Sequence, residues 1–154
     1  MQTRRTNAEK QAIYLAEAVE LKCLRFLNRN AEGYQFRTDN RAGMCLSASK
    51  VLRRVLRREG YKVKLILCQG NFLCFNHVWV EAQISGRRWI FDLTSEQFNR
   101  FPPSVMQPYS EVPLYQRKQY DKGIDLNQRT FNHAGWKKIG QSLAEPDVRK
   151  LLRM

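Results

Sequence analysis

Residues 75–93 decide the fold, and they read FNHVWVEAQISGRRWIFDL. In the first half, Val78 and Val80 alternate with polar or aromatic neighbours, a period of two that is typical of a half-buried strand. Ser85-Gly86 is a tight-turn pair, after which a second strand runs to Leu93. The stretch therefore predicts a β-hairpin.

The chain before this hairpin predicts two helices and one more strand. Apolar residues three and four positions apart indicate the helices, and polar–apolar alternation indicates the strand. The predicted elements are helices over 8–28 and 45–59, then strands over 61–67, 75–84 and 88–93. Thr6 or Asn7 can cap the first helix, and Gly60 can end the second. Helices followed by an antiparallel meander of at least three strands indicate an α+β fold.

Length and composition restrict the class of protein. A chain of 154 residues with 43% hydrophobic residues suits one domain over 1–154 with a real core, so disordered and collagen-like classes are excluded. No apolar run reaches the roughly 18 residues that a membrane span needs. The basic start at Met1 lacks an apolar signal-peptide region. We therefore expect a cytoplasmic protein, or an effector exported without a Sec signal.

Residues 99–154 carry weaker signals. Four prolines, at 102, 103, 108 and 113, indicate an irregular segment that wraps over the surface. Pro146 can occupy the first turn of a short C-terminal helix.

The four cysteines are Cys23, Cys45, Cys68 and Cys74. Without a signal peptide we expect no disulfide framework. Cys68, Cys74 and His77 lack the close C-x2-4-C spacing of zinc sites. We therefore expect no metal and no cofactor, and interpret Cys23, Cys68 and Cys74 as buried apolar side chains.

Cys45, His77 and Asp92 form the candidate catalytic set. Cys45 begins a predicted helix, where the positive end of the helix dipole favours a thiolate. His77 lies on the first hairpin strand, and is one of two histidines in the chain; it is the candidate base. Asp92, on the next strand, can hold the imidazole in one tautomer.

Strand register gives an independent test of this set. If Ser85-Gly86 is a two-residue loop, Ile84 lies opposite Arg87, and His77 and Asp92 become diagonal neighbours on one face of the sheet. A slip of one residue would send Asp92 to the other face.

These residues resemble the transglutaminase-like superfamily of papain-like cysteine enzymes, in particular its small bacterial members. The resemblance rests on RAGMC at 41–45, HVWVE at 77–81 and DLTSEQF at 92–98, and covers about residues 41–98. It implies a transglutaminase-like core with Cys45 as nucleophile, His77 as general base and Asp92 as orienting residue. It also implies attack on an amide of a protein or peptide through a thioester, as in peptidases, glutamine deamidases and acyltransferases, of which we favour hydrolysis.

The residues around this set have candidate supporting roles. The papain-like resemblance implies an amide donor to the oxyanion before the cysteine, for which Asn40 is the candidate and Gln35 an alternative, beside the Cys45 backbone N–H. Gly43 would let a substrate backbone approach. Trp79 is either plain core or a wall of the cleft near His77.

Charge supports a second interpretation. The net charge is +13, and four arginines lie on one flank of the second helix: Arg53, Arg54, Arg57 and Arg58. A solvated helix face explains them, but so does docking of an acidic partner. The alternative to an enzyme is therefore a basic binding module for an acidic protein or a nucleic acid. The nucleic acid is not favoured, because no known nucleic-acid-binding motif occurs.

Overall fold

The computed structural model describes residues 3–30, 45–73, 75–95, 102 and 104–126, apart from the side chains of residues 24–30 and 75. These residues form an α+β fold in which two helices precede an antiparallel five-stranded sheet. The elements are α1 (Asn7–Asn30), α2 (Cys45–Arg58), β1 (Lys62–Phe72), β2 (Phe75–Ile84), β3 (Arg87–Asp92), β4 (Val105–Pro108), a 3₁₀ turn (Tyr109–Glu111), α3 (Leu114–Tyr120) and β5 (Ile124–Asp125). The strand order is β4-β3-β2-β1-β5. The predicted α+β class is confirmed.

Local sequence signals explain where the two long helices begin and end. Thr6 and Glu9 form a capping box at the start of α1: the Thr6 N–H donates to Glu9 at 2.8 Å, and the Glu9 N–H donates to the Thr6 hydroxyl oxygen at 3.2 Å. At the end of α2, Gly60 takes a φ of +89°, and the Tyr61 N–H donates to the Leu56 carbonyl. This is a Schellman-type cap that favours glycine, so the predictions for Thr6 and Gly60 are confirmed.

The β2–β3 hairpin has the predicted register. Ser85 and Gly86 both take positive φ, +53° and +76°, as a type I′ turn requires. Ile84 pairs with Arg87, and Val80 pairs with Phe91. The two-residue loop therefore fixes which side chains of the two strands share a face.

Alternation divides the buried side chains between two faces of the sheet. On the helix face, Val78, Val80 and Phe91 pack in one cluster with Leu52 and Leu56 of α2. On the opposite side, here called the aromatic face, the buried cluster consists of Ile66, Cys68, Phe72, Trp79, Ile90, Val105, Val112 and Tyr120. His77 and Asp92, fully buried, belong to the aromatic face.

Residues 104–126 cover part of the aromatic face and extend both edges of the sheet. The sequence indicated an irregular wrap, whereas the structure forms two short strands, a 3₁₀ turn and α3. Pro108 ends the edge strand β4, and Pro113 directly precedes α3; both places tolerate proline. The C-terminal helix predicted at Pro146 lies outside the described residues.

Candidate active site

A buried hydrogen bond joins two of the predicted catalytic residues. His77 Nε2 lies 2.7 Å from Asp92 Oδ2, and both side chains have no exposed surface. An ionised carboxylate can only accept a hydrogen bond, so Nε2 is the ring nitrogen that carries the proton. His77 Nδ1 is then the atom from which a proton could pass to or from a nucleophile.

Two further donors fix the Asp92 carboxylate. The Tyr120 hydroxyl donates to Oδ2 at 2.8 Å, the same oxygen that meets His77. The Thr94 backbone N–H donates to Oδ1 at 3.2 Å. A buried carboxylate is costly unless it is hydrogen-bonded, and these contacts both satisfy it and set its plane.

Tyr120 acts as a neutral donor in this arrangement. Burial, and then the negative charge of Asp92, raise the pKa of the Tyr120 phenol well above its ordinary value. The proton therefore stays on the phenol across the physiological range, and the phenol remains a hydrogen-bond donor to Asp92.

Aromatic rings pack against the imidazole. Phe72 lies 4.6 Å from His77 and Trp79 lies 5.7 Å from it, centroid to centroid. The Trp79 ring in turn meets the Tyr120 ring edge-on at 5.1 Å, and its indole N–H donates to Glu81 at 3.0 Å. Trp79 is therefore a buried core residue that packs against His77, which was one of its two interpretations; its role as the wall of a cleft stays a prediction.

Cys45 is the first residue of α2, as predicted, and only 3% of its surface is exposed. One helical turn further on, the Ser49 hydroxyl donates to the Val78 carbonyl at 3.3 Å. Because Val78 follows His77 on β2, this bond holds the N-terminal part of α2 beside the backbone of His77. Cys45 packs on the helix face, whereas the His77 ring stands on the aromatic face.

The remaining predicted residues have different outcomes. Asn40, Gly43 and the alternative Gln35 lie outside the described residues, as does Cys74. Cys23 and Cys68 are buried free thiols, in agreement with their interpretation as small apolar side chains, and burial raises the pKa of Cys68. Among the described residues, no cluster of His, Cys, Asp and Glu could hold a metal ion.

Tyr120 and Phe72 are the site residues that the sequence analysis missed. Weak signals for α3 were present: Pro113 precedes the helix, Arg117 and Lys118 lie in its last turn, and Gly123 follows it. They predict a short helix but not where its tyrosine points. Phe72 packs on His77 just beyond an irregularity in the β1–β2 pairing between Cys68 and Phe72, which no local sequence signal reveals.

The arginine flank of α2 is mostly solvated. Arg54, Arg57 and Arg58 are exposed and Arg53 is half-buried. Burial, followed by the charge of Arg57, lowers the pKa of Arg53. These side chains are accessible to solvent and to an anionic partner alike.

Comparisons with protein-family models, curated proteins and solved structures found no match. Within the described part of the chain, no helix combines the length and the hydropathy that crossing a membrane requires.

Proposed function

We propose that this protein is a cysteine-dependent enzyme with a transglutaminase-like core that acts on an amide of a protein or peptide. Cys45 is the nucleophile, His77 the general base and Asp92 the orienting residue. The observation that carries the proposal is the buried 2.7 Å bond between His77 Nε2 and Asp92 Oδ2. A buried carboxylate is costly unless it is hydrogen-bonded, and here the bond joins the base and the orienting residue of a nucleophile–base–orienter set.

The proposal requires the Cys45 sulfur to approach the His77 ring at the end of the sheet beyond β3. Cys45 packs with the helix-face cluster, and the His77 ring packs on the aromatic face. The last β2–β3 pair is Val80–Phe91, and His77 lies three residues beyond Val80 on β2. We therefore propose that the first turn of α2 and the imidazole meet past this last pair.

The chemistry follows from the protonation states. Cys45 gives its proton to His77 Nδ1, and the thiolate, favoured by the helix N-terminus, attacks the amide carbonyl carbon. A C–S bond forms, and the tetrahedral oxyanion collapses as the imidazolium protonates the leaving amine and the C–N bond breaks. Water then attacks the thioester, giving its proton to His77. The C–S bond breaks, the carboxylic acid leaves and loses its proton to solvent to become a carboxylate, and the thiolate regains a proton from the imidazolium.

The choice of acceptor decides the reaction subtype. Water gives peptide cleavage or glutamine deamidation, and an amine gives acyl transfer. We favour hydrolysis, since water needs no binding site of its own. Asp92 contributes by keeping the imidazole in the tautomer whose Nδ1 can accept the thiol proton.

Selective alkylation tests the proposal, with two built-in controls. Cys23, Cys45 and Cys68 are all buried, at 6%, 3% and 1% exposure, so accessibility in the folded state does not favour one of them. Treatment with iodoacetamide at about pH 6, with peptide mass spectrometry, should modify Cys45 at least tenfold faster than Cys68, because an ordinary thiol is protonated there.

Variants of the imidazole and the carboxylate complete the test. His77→Asn and Asp92→Asn should reduce the Cys45 rate to that of Cys68, while circular dichroism reports a folded protein. If the folded wild type alkylates Cys45 no faster than Cys68, and His77→Asn changes nothing, the enzyme proposal is wrong. The basic binding module then becomes the better account.

A further inference from the structure

Tyr120 lies outside the set that the sequence predicts, yet it shares an acceptor with His77. Its hydroxyl and His77 Nε2 both donate to Asp92 Oδ2, at 2.8 and 2.7 Å. The Thr94 N–H holds the other oxygen. With both oxygens held, rotation of the carboxylate about its Cβ–Cγ bond would break at least one of these bonds.

From this geometry we infer that Tyr120 is a positioning residue, which acts on His77 through Asp92. It keeps Oδ2 against Nε2, so the imidazole remains in the Nε2–H tautomer with Nδ1 as the proton acceptor. The inference rests on the proposed function for its consequence in catalysis. The coupling of Tyr120 to His77 can nevertheless be measured without any reaction.

The surroundings of the hydroxyl define which groups its removal affects. His77 and Glu81 reach this region from β2, Asp92 from β3 and the Cys68 thiol from β1. Removing the hydroxyl takes one donor from a buried carboxylate and leaves Oδ2 with fewer hydrogen bonds to hold it against His77 Nε2.

Tyr120→Phe tests this inference, with Tyr109→Phe as the matched control. Tyr109 also donates its hydroxyl to a carboxylate, that of Asp121 at 2.7 Å, but at an exposed place. In Tyr120→Phe, Cys45 alkylation at pH 6 should fall about tenfold, the size expected for one hydrogen bond to a charged acceptor. Tyr109→Phe should leave the rate unchanged.

Nitrogen-15 NMR of the His77 ring separates this inference from the enzyme proposal. The wild type should give the chemical shifts of a single Nε2–H tautomer, and Tyr120→Phe those of a mixture. If Tyr120→Phe is folded and both the tautomer and the alkylation rate match the wild type, Tyr120 is only a packing residue and the inference fails. If Cys45 is unreactive in the wild type but the tautomer still changes, the positioning role stands and only the enzyme proposal fails.

A wild-type measurement covers the case in which Tyr120→Phe does not fold. The buried Tyr120 hydroxyl proton should give an NMR signal protected from solvent exchange, with a cross-peak to the His77 ring. Lack of that signal in the folded wild type would contradict the inference.

A second, independent observation concerns a basic hollow at the other end of the sheet. Its volume is about 510 Å³, within the range of sites that hold small ligands or short peptide segments. The charged and amide groups that line it come from four elements: Arg57, Lys62, Lys64, Glu81, Gln83 and Arg88. The lysines project here because Val63 and Leu65, which alternate with them, pack on the helix face.

The lining of this basic hollow carries more positive charge than the Glu81 carboxylate in it can neutralise. Glu81 is engaged by Arg88 through contacts of 2.7 and 3.0 Å. Over 45–73, 75–95 and 104–126, no carboxylate lies within ion-pair distance of Arg57, Lys62 or Lys64. Three cations that surround one concavity repel one another, and an anionic ligand would relieve that repulsion.

We propose that the basic hollow binds an acidic peptide segment. A bounded concavity with two lysine ammonium groups, an arginine and the Gln83 amide suits the separate carboxylates of glutamate and aspartate side chains. A nucleic-acid strand would favour an extended groove with aromatic rings for stacking. Tyr61 is the aromatic residue in the lining of the basic hollow. Its hydroxyl donates a hydrogen bond to the Ala8 carbonyl at 2.7 Å.

Fluorescence anisotropy with a labelled peptide of about six glutamates tests this proposal. At low salt, the double variant Lys62→Gln/Lys64→Gln should weaken binding about tenfold. The control Lys10→Gln/Lys118→Gln removes the same charge from exposed lysines of α1 and α3, and should weaken binding less than twofold.

Three results would overturn the proposal. Equal losses in the two double variants would mean that only net charge attracts the peptide. Equal binding of a glutamine peptide would mean that charge is not recognised. If oligothymidine binds through Lys62 and Lys64 while the glutamate peptide does not bind, the ligand is a nucleic acid.

Discussion

The helix face and the aromatic face of the sheet bury side chains of different kinds. On the helix face, α1 and α2 cover an apolar cluster that includes Cys45 and two aromatic rings, one of which, Trp89, donates to the buried Glu9 carboxylate. The aromatic face encloses His77 and Asp92 among Phe72, Trp79 and Tyr120. Apolar packing tolerates exchange of one hydrophobic residue for another of like volume, whereas a buried polar network depends on every member.

This difference teaches where packing can be changed without disturbing the His77–Asp92 pair. A change on the helix face should reduce the free energy of unfolding and leave the His77 tautomer alone. A change on the aromatic face should affect both. Three substitutions test this division, in decreasing order of their expected effect on stability.

Leu52→Ala should have the largest effect. Leu52 is fully buried on α2, and deletion of such a side chain costs about 2–5 kcal/mol. Urea denaturation followed by tryptophan fluorescence measures the loss. Leu21→Ala, at a leucine with 49% exposure, is the control and should cost less than about 1 kcal/mol. A changed His77 tautomer in folded Leu52→Ala would break the proposed separation of the two faces.

The apolar stripe of α2 and the register of the β2–β3 hairpin were the more predictable parts of the molecule. The stripe through Leu46, Leu52 and Leu56 follows from helical periodicity, and the hairpin register follows from the two-residue turn. Both are local properties. The diagonal pairing of His77 with Asp92 could therefore be predicted, because these residues are joined by one short loop.

Contacts that depend on the path of a long connection could not be predicted. Tyr120 reaches Asp92 across 28 residues, and no periodic pattern in that segment fixes its direction. Likewise, the sequence shows that Thr6 and Glu9 can form a capping box. It does not show that Arg87 and Trp89 also donate to the Glu9 carboxylate, because these two residues come from a distant strand.

Gly123→Ala should have an intermediate effect, confined to the aromatic face. A Cβ atom at Gly123 would overlap the Ile66 side chain and the Trp79 ring, and overpacking of this kind costs about 1–3 kcal/mol. Because Trp79 packs on His77, the imidazole resonances should shift as well. Gly86→Ala is the control: its surroundings are open but φ is +76°, so it should cost about 1 kcal/mol through backbone strain without shifting His77. Equal His77 shifts in both variants would contradict the steric explanation.

The smallest effect should come from an ion pair that joins the N-terminal segment before α1 to the 3₁₀ turn at the edge of the aromatic face. The Arg5 guanidinium contacts both Glu111 oxygens, at 2.6 and 3.0 Å. This contact lowers the pKa of the Glu111 carboxyl to about 2. Burial opposes the shift, and hydrogen bonds from Thr3 add to it. Since the folded state favours the ionised carboxylate, its stabilisation is complete above the unfolded pKa of about 4.5. It is lost as pH falls towards 2.

Thermal unfolding between pH 5 and pH 2 measures this contribution. Glu111→Gln should lower stability at pH 5 by roughly 1 kcal/mol, and most of the difference from wild type should be gone near pH 2, where about half of the wild-type carboxylates are neutral. Glu17→Gln, at an exposed carboxylate of α1, should follow the wild type throughout. If Glu111→Gln parallels the wild type with a constant offset instead, the offset reflects packing at residue 111 rather than charge. The ion pair would then contribute nothing to holding the N-terminal segment against the 3₁₀ turn.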